Sequence, residues 1–233
     1  MADEAKRLIR FNFRSYIADE DRLYDTNIAE AAKEAGIYNE KYPYEPVAHI
    51  TGTDRLFKDL EDALAAAEVG KEYEVTIPCE RAAGVRNPKN VEYYPLKNFL
   101  KEDQYPQPGM TVNIGNKKGT IASVGAGRVK VDFNNPLAGH DLMYKFTVTE
   151  EITDPVEKAK AIVEADFSMA DGFEFEIAED KVVVKEPDLC KYDNNWAIAK
   201  YKVVTDLRSV FGIDRIEFLQ VWDIPKKAEE KKE

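Results

Sequence analysis

Between Leu8 and Ile17, the apolar Ile9, Phe11 and Phe13 alternate with Arg10, Asn12 and Arg14. That two-residue period predicts a strand buried on one face. Ala18-Asp19-Glu20-Asp21 predicts a turn, and Arg22-Leu23-Tyr24-Asp25 the returning strand. Thr26 and Asn27 offer caps for a short helix over 28–35, with Gly36 to close it. A loop rich in Tyr and Pro follows over 38–46, then a short apolar stretch from Val47 to Thr51. Asp59 offers a cap for a helix over 60–67, where Leu60, Ala63, Leu64 and Ala67 share one face. Tyr73, Val75 and Ile77 alternate as a strand that Pro78 stops.

The pattern changes near Gly84. A Pro/Asn stretch leads to a short apolar helix candidate around 96–100. Three short strand patterns follow, near 112–114, 120–124 and 129–133, separated by Gly and Asn. Leu142, Tyr144, Phe146 and Val148 then form one more alternating strand. Asp154-Pro155 starts a helix over 155–165, with Pro at its first position. Phe173–Ile177 and Val182–Val184 predict a hairpin. Asn194 or Asn195 caps a long helix with Trp196, Ala199, Val203, Leu207 and Val210 on its apolar face, and Gly212 ends it. Ile216, Phe218 and Gln220 begin the last strand. The final segment therefore predicts a small α+β unit.

Composition narrows the chemistry. The chain has 233 residues, formal charge −11, and only 2 His and 2 Cys. His49, His140, Cys79 and Cys190 are too far apart for a zinc cluster of ordinary spacing or a disulfide framework. No metal or cofactor site is expected. No apolar run approaches a membrane span, and no signal peptide is visible, so a cytoplasmic location is expected. Scarce histidine argues against proton-shuttling catalysis. The charge is uneven. Segment 85–137 carries eight basic and four acidic residues, net +4, which leaves −15 on the remainder. That shift marks a separate small β module.

An ordered series carries the functional signal: Leu23-Tyr24-Asp25-Thr26, Tyr38, Pro46-Val47, Gly52 through Glu61, Val69-Gly70 and Ala82-Ala83-Gly84. It resembles the FKBP-type peptidyl-prolyl isomerases. Asp132-Phe133-Asn134-Asn135-Pro136-Leu137-Ala138-Gly139 resembles the signature closing the inserted flap domain of SlyD-like members. The extension after that core resembles the archaeal long-type members. The resemblance implies an α+β fold: an FKBP-like antiparallel sheet wrapped on a short helix (1–84 plus 138–153), an inserted β-rich domain (85–137) and a separate α+β domain (154–233). It implies isomerase activity on proline-containing chains, with Tyr24 and Tyr144 as wall aromatics and Asp25 as the pocket carboxylate. Leu56 and Phe57 would be the apolar pair on the peptide, with Leu60 as the floor. Phe13, Val47 and Ala83 would lie at the periphery. The insert would bind unfolded chains through Tyr93, Tyr94, Leu96, Phe99, Leu100, Val112 and Ile114.

Several positions depart from the family pattern. Ala83 stands where a Tyr or Phe is usual, Asp59 where Gly is usual, Phe13 where many members have Tyr, and Asn135 where His is usual. These predict a weakened pocket. The alternatives are a client-binding chaperone with a degenerate pocket and a small β barrel that binds RNA. His49 is expected to be a structural or pocket-edge residue and not a ligand, and His140 exposed. Cys79 has no sequence-adjacent His or Cys to activate it. Trp196 and Trp222 are candidates for an apolar dimer surface on the C-terminal domain.

Overall fold

The computed structural model describes residues 6–100 and 105–222. The tail from 226 onward lies outside them. Sixteen helices and strands organise them into three packed units. Strand β1 (Leu8–Ile17) is the axis of the first. Its first half pairs with β3 (Val47–Ile50) and its second half with β2 (Arg22–Thr26). Along its other side runs β9 (Leu142–Glu151), followed by the edge strand β4 (Glu72–Ile77). All these pairings are antiparallel.

Helix α2 (Lys58–Ala66) covers one face of this sheet. Leu60 and Leu64 pack there on Ile9, Phe11, Ile77, Phe146 and Val148. The opposite face is also covered. Leu8, Ala48 and Ile50 share a core with α3 (Pro155–Phe167) and α4 (Asn194–Phe211). Successive residues of a strand point to opposite faces, so Leu8 and Ile9 enter two different cores, and both are almost fully buried. The strand expected to bury one face therefore buries two at its start. Each such apolar side chain contributes about 1.5–3 kcal/mol.

Three helix starts differ from expectation. Helix α1 (Ala29–Glu34) has Ile28 at its cap with no side-chain bond. Thr26 stays in β2, donating to Phe13 O at 2.6 Å and accepting from Ile28 N at 3.1 Å. Asn27 is buried and tied to Phe13 N, Phe11 O and Glu45 O, so it staples a loop to β1 instead of capping. Helix α2 begins two residues early, with Phe57 at the cap and Asp59 inside the first turn. Helix α4 is capped by Asp193, whose carboxylate accepts from Asn195 N and Trp196 N, one residue ahead of the expected asparagines.

The insert forms a four-stranded antiparallel sheet in the order β5 (Val91–Pro95), β8 (Arg128–Asp132), β7 (Lys117–Gly125), β6 (Thr111–Ile114). Strand β5 has no clear sequence pattern, because none of its five residues is fully buried and it ends in Pro. The expected helix near 96–100 is a single 3₁₀ turn, Leu96–Asn98. The core is small: Ile121, Val129 and Val131.

In the C-terminal unit, Asp154 caps α3 through Val156 N and Glu157 N, with Pro155 in the first turn as expected. Strands β10 (Glu174–Ile177) and β11 (Lys181–Glu186) form the expected hairpin. Helix α4 then crosses over, and β12 (Arg215–Gln220) lies parallel to β11. Trp196 is 1% exposed, packed among Phe167, Phe173 and Phe218. It belongs to the core and not to a dimer surface; Trp222 is 61% exposed.

Candidate functional site

The face of the sheet beneath α2 ends in a group of aromatic rings. Ser15 on β1 sits opposite Asp25 on β2 and Tyr144 on β9. Between Ser15 and Tyr16 the β2 register slips, and Tyr24 is the extra residue. Such a bulge re-aims a side chain. Here it brings the Tyr24 hydroxyl within 2.6 Å of the Tyr144 hydroxyl, with the rings edge to face at 6.5 Å. Phe57 and Phe13 approach Tyr144 at 6.2 and 6.5 Å between centroids. Leu56, Val47 and Phe13 pack half-buried on the same cluster, and Leu60 lies buried beneath.

The sequence-derived pocket residues Tyr24, Leu56, Phe57, Leu60, Tyr144, Phe13 and Val47 are thus brought together. Burial raises the pKa of both Tyr24 and Tyr144 above the ordinary phenol value, so both hydroxyls stay protonated as donors. Ser15, not anticipated from the sequence, adds a buried Oγ beside them. The signal for it was a polar residue on the apolar face of β1. Asp25, next to Tyr24, is exposed, and partial desolvation raises its carboxyl. Its carboxylate accepts a hydrogen bond from Thr26 N at 2.9 Å.

The loop carrying Leu56 and Phe57 is organised by Glu61, another residue to which the sequence assigned no role. Glu61 is buried in the first turns of α2. Its carboxylate accepts Gly52 N at 3.2 Å, Arg55 N at 3.2 Å and Leu56 N at 3.3 Å. His49 Nε2 lies 3.0 Å from the same group, with its ring edge-on to Phe11. His49 is structural, as expected.

The departures from the family pattern now have surroundings. Asp59 pairs with Arg81 at 3.0 Å, which ties α2 to the turn over 78–84. Ala82 packs on the aromatic cluster, while Ala83 is half-buried beside it with no ring to add. Asn135 accepts from Leu137 N at 2.9 Å in a tight local turn. Its neighbours hold the two linkers to the insert together. Asp132 is buried, accepts from Asn134 N and Nδ2, and pairs with Arg86. Those partners hold its carboxyl below the usual range against the opposing effect of burial. Gly139 N donates to Gly84 O at 2.8 Å.

In the insert, Tyr94, Leu96, Phe99, Val112 and Ile114 pack half-buried on the module's own core. Tyr93 and Leu100 are exposed at 62% and 51%. Tyr94, Phe99, Val112 and Ile114 also line a hollow of about 380 Å³. His140 is half-buried and 2.9 Å from Asp19, not free in solvent as expected. Burial raises the Cys79 and Cys190 thiols, the latter to about 11, so neither is primed as a nucleophile. Among the described residues, no helix is long and apolar enough to cross a membrane.

Comparison with known proteins supplies the family. The family described as FKBP26, IF domain matches residues 93–137, and FKBP26_C-terminal matches residues 155–223. Over 143 residues the chain is 37% identical to the short-type peptidyl-prolyl cis-trans isomerase of Methanocaldococcus jannaschii, spanning 61% of this chain and 90% of that protein. It is 31% identical over 107 residues to the FKBP-type isomerase SlyD of Helicobacter pylori, spanning 45% of this chain and 58% of that protein. It is 27% identical over 143 residues to the FKBP-type 16 kDa isomerase of Escherichia coli, spanning 59% and 89%. With the ring cluster in place and nine-tenths of one relative covered, the chain belongs to the FKBP-type peptidyl-prolyl cis-trans isomerases.

Proposed function

We propose that the chain catalyses peptidyl-prolyl isomerisation at the Tyr24–Tyr144–Phe57 cluster and captures unfolded clients through the insert. The observation that carries the reading is the apolar ring wall around a paired tyrosine hydroxyl donor, set over Leu60. Rotation about an X–Pro amide makes and breaks no covalent bond. Its uncatalysed barrier is roughly 18–20 kcal/mol, most of it lost resonance. The twisted amide is less polar than the planar one, so an apolar wall favours it over the ground state. A hydroxyl aimed at the twisted carbonyl adds stabilisation that the planar form does not receive. Leu56 and Phe57 seat the peptide, Asp25 faces it at the mouth, and Val47, Phe13 and Ala83 form the rim. No general base is needed, which fits a chain with two histidines.

The domain division follows the same reading: 1–84 with 138–153 for isomerisation, its sheet wrapped on α2; 85–137 for capture; 154–233 as the C-terminal domain. In the insert, the exposed Tyr93 and Leu100 and the hollow between Phe99 and Ile114 favour apolar client binding. Arg86 and Lys117 are engaged with Asp132 and Glu92, which leaves less free charge for RNA. A homodimer through the exposed Ile198, Tyr201, Tyr192 and Trp222 is proposed for the C-terminal domain, testable by sedimentation velocity.

The test of catalysis is NMR exchange on an Ala-Pro tetrapeptide. Acceleration of cis/trans exchange proportional to protein concentration is expected. No acceleration at a protein concentration equal to the peptide's would leave only the client-binding chaperone.

A further inference from the structure

Arg55 sits in the loop that carries Leu56 and Phe57, yet its side chain leaves the isomerase unit. One guanidinium nitrogen lies 2.9 Å from Asp166 Oδ1 at the end of α3, and another bonds Asp206 in α4. Both carboxylates are buried, with side chains 1% and 8% exposed. Buried carboxylates require a cation, and a planar guanidinium can serve two at once. The second oxygen of Asp166 has no partner, so Arg55 is the main compensation that this carboxylate receives.

The opposite side of the same residue is held just as closely. The N–H groups of Arg55 and Leu56 both donate to Glu61 Oε1. Asp54, immediately before, has φ +52, a left-handed conformation that few non-glycine residues adopt. Gly52 turns the chain at φ +71. The loop is therefore strained at one residue and clamped at the next, from inside by Glu61 and from the C-terminal unit by the two aspartates. Phe57 begins α2 directly after this clamp and supplies the ring against Tyr144.

We propose that Arg55 is a positioning residue through which the C-terminal domain sets the placement of Leu56 and Phe57 in the prolyl pocket. Its guanidinium reaches α3 and α4, so it acts on the pocket through its two neighbours. The proposal rests on the isomerase reading above. It makes the C-terminal domain part of the isomerase machinery and not only an appended module. Displacements of about 1 Å at a substrate clamp can cost up to roughly 100-fold in rate. A loop still held by Glu61 should lose less, about tenfold, and mainly in substrate affinity.

The experiment uses the full chain and one proline tetrapeptide, with kcat and KM separated by titrating the peptide in exchange spectroscopy. Arg55→Met should raise KM about tenfold and leave kcat within about twofold. Asp206→Asn should give a smaller rise, and its effect combined with Arg55→Met should not be additive, because both act through one contact. Arg55→Lys, which keeps the charge but cannot fork, should fall between wild type and Arg55→Met. The triple variant Arg55→Met/Asp166→Asn/Asp206→Asn leaves no buried charge unpaired and covers the case in which Arg55→Met folds poorly; it should show the same raised KM. Near-UV circular dichroism of the buried Trp196 reports that the C-terminal core is intact. A merely structural role would lower the melting temperature and leave KM unchanged well below it, and that result overturns the proposal. An inactive wild-type chain would instead overturn the isomerase reading, so the two failures are distinct.

Discussion

Asp166 should cost the protein stability at neutral pH. Its side chain is 1% exposed at the α3 terminus. Burial pushes its carboxyl from the ordinary 3.8 up to about 6; Asp206 adds to the rise, while Arg55 and Lys202 oppose it. The folded state thus holds the proton over a range where the unfolded chain has released it. For an acid whose folded pKa is raised, stability is highest below the unfolded value and declines as pH rises toward the folded one. A rise of about 2 units corresponds to about 3 kcal/mol at 1.36 kcal/mol per unit. The perturbation is Asp166→Asn, which keeps the shape and removes the charge. Urea unfolding of both chains between pH 4 and 8 gives a difference in which other titrating groups cancel. That difference should be near zero at pH 4, grow mostly between pH 4 and 6.5, and reach about 2–3 kcal/mol in favour of the variant at pH 7.5. A pH-independent difference, or a wild type that is the more stable at pH 7.5, would refute the reasoning. The reason to retain such a carboxylate lies in Arg55: a guanidinium held by two aspartates is fixed more firmly than one held by Asp206 alone.

Further outcomes are expected elsewhere. Ala83→Tyr should raise kcat/KM by roughly 3- to 10-fold, about 1 kcal/mol of transition-state stabilisation from a restored ring; an unchanged rate in the peptide assay would place the missing contact elsewhere. Gly119→Ala should destabilise the insert by about 1–3 kcal/mol, because a Cβ there would meet Val131 Cγ1 at 2.7 Å and Phe133 Cδ1 at 2.8 Å. Hydrogen exchange in β5–β8 should quicken while peptide turnover stays at the wild-type level. Replacing 85–137 by a short linker between Gly84 and Ala138 should spare peptide turnover and abolish acceleration of protein refolding; surviving refolding activity would assign client binding to another surface.

The legible parts of the fold were those in which one residue type answers to one surface. The alternation in β1, β4 and β9 announced the first sheet, and the Asp154-Pro155 start of α3 needed only local chemistry. The candidate site residues came from their order along the chain; the bulge at Tyr24 brings its ring to Tyr144, with Phe13 beside it. Other features depend on partners distant in sequence. Asn27 reads as a cap until its amide is seen spanning β1 and the loop at Glu45. Trp196 on an amphipathic helix face is equally compatible with a core or an interface; here Phe167, Phe173 and Phe218 decide it. Arg55 lies more than a hundred residues from both Asp166 and Asp206, and charged residues in a chain this acidic give no sign of which are buried.

The placement of β9 also sets an order of events during synthesis. It is the inner strand between β1 and β4, so the first sheet lacks its centre until residue 151 is available. About 65 residues separate the end of β4 from the start of β9. At roughly 5–20 residues per second, translation takes about 3–13 s to cross them. Within the insert, successive strands β6, β7 and β8 pair with their sequence neighbours, and such hairpins close in about 1–10 μs. On the ribosome the insert therefore closes while Phe11 and Ile77 still await Phe146 and Val148. The first unfolded chain within reach of the closed insert is the protein's own first sheet.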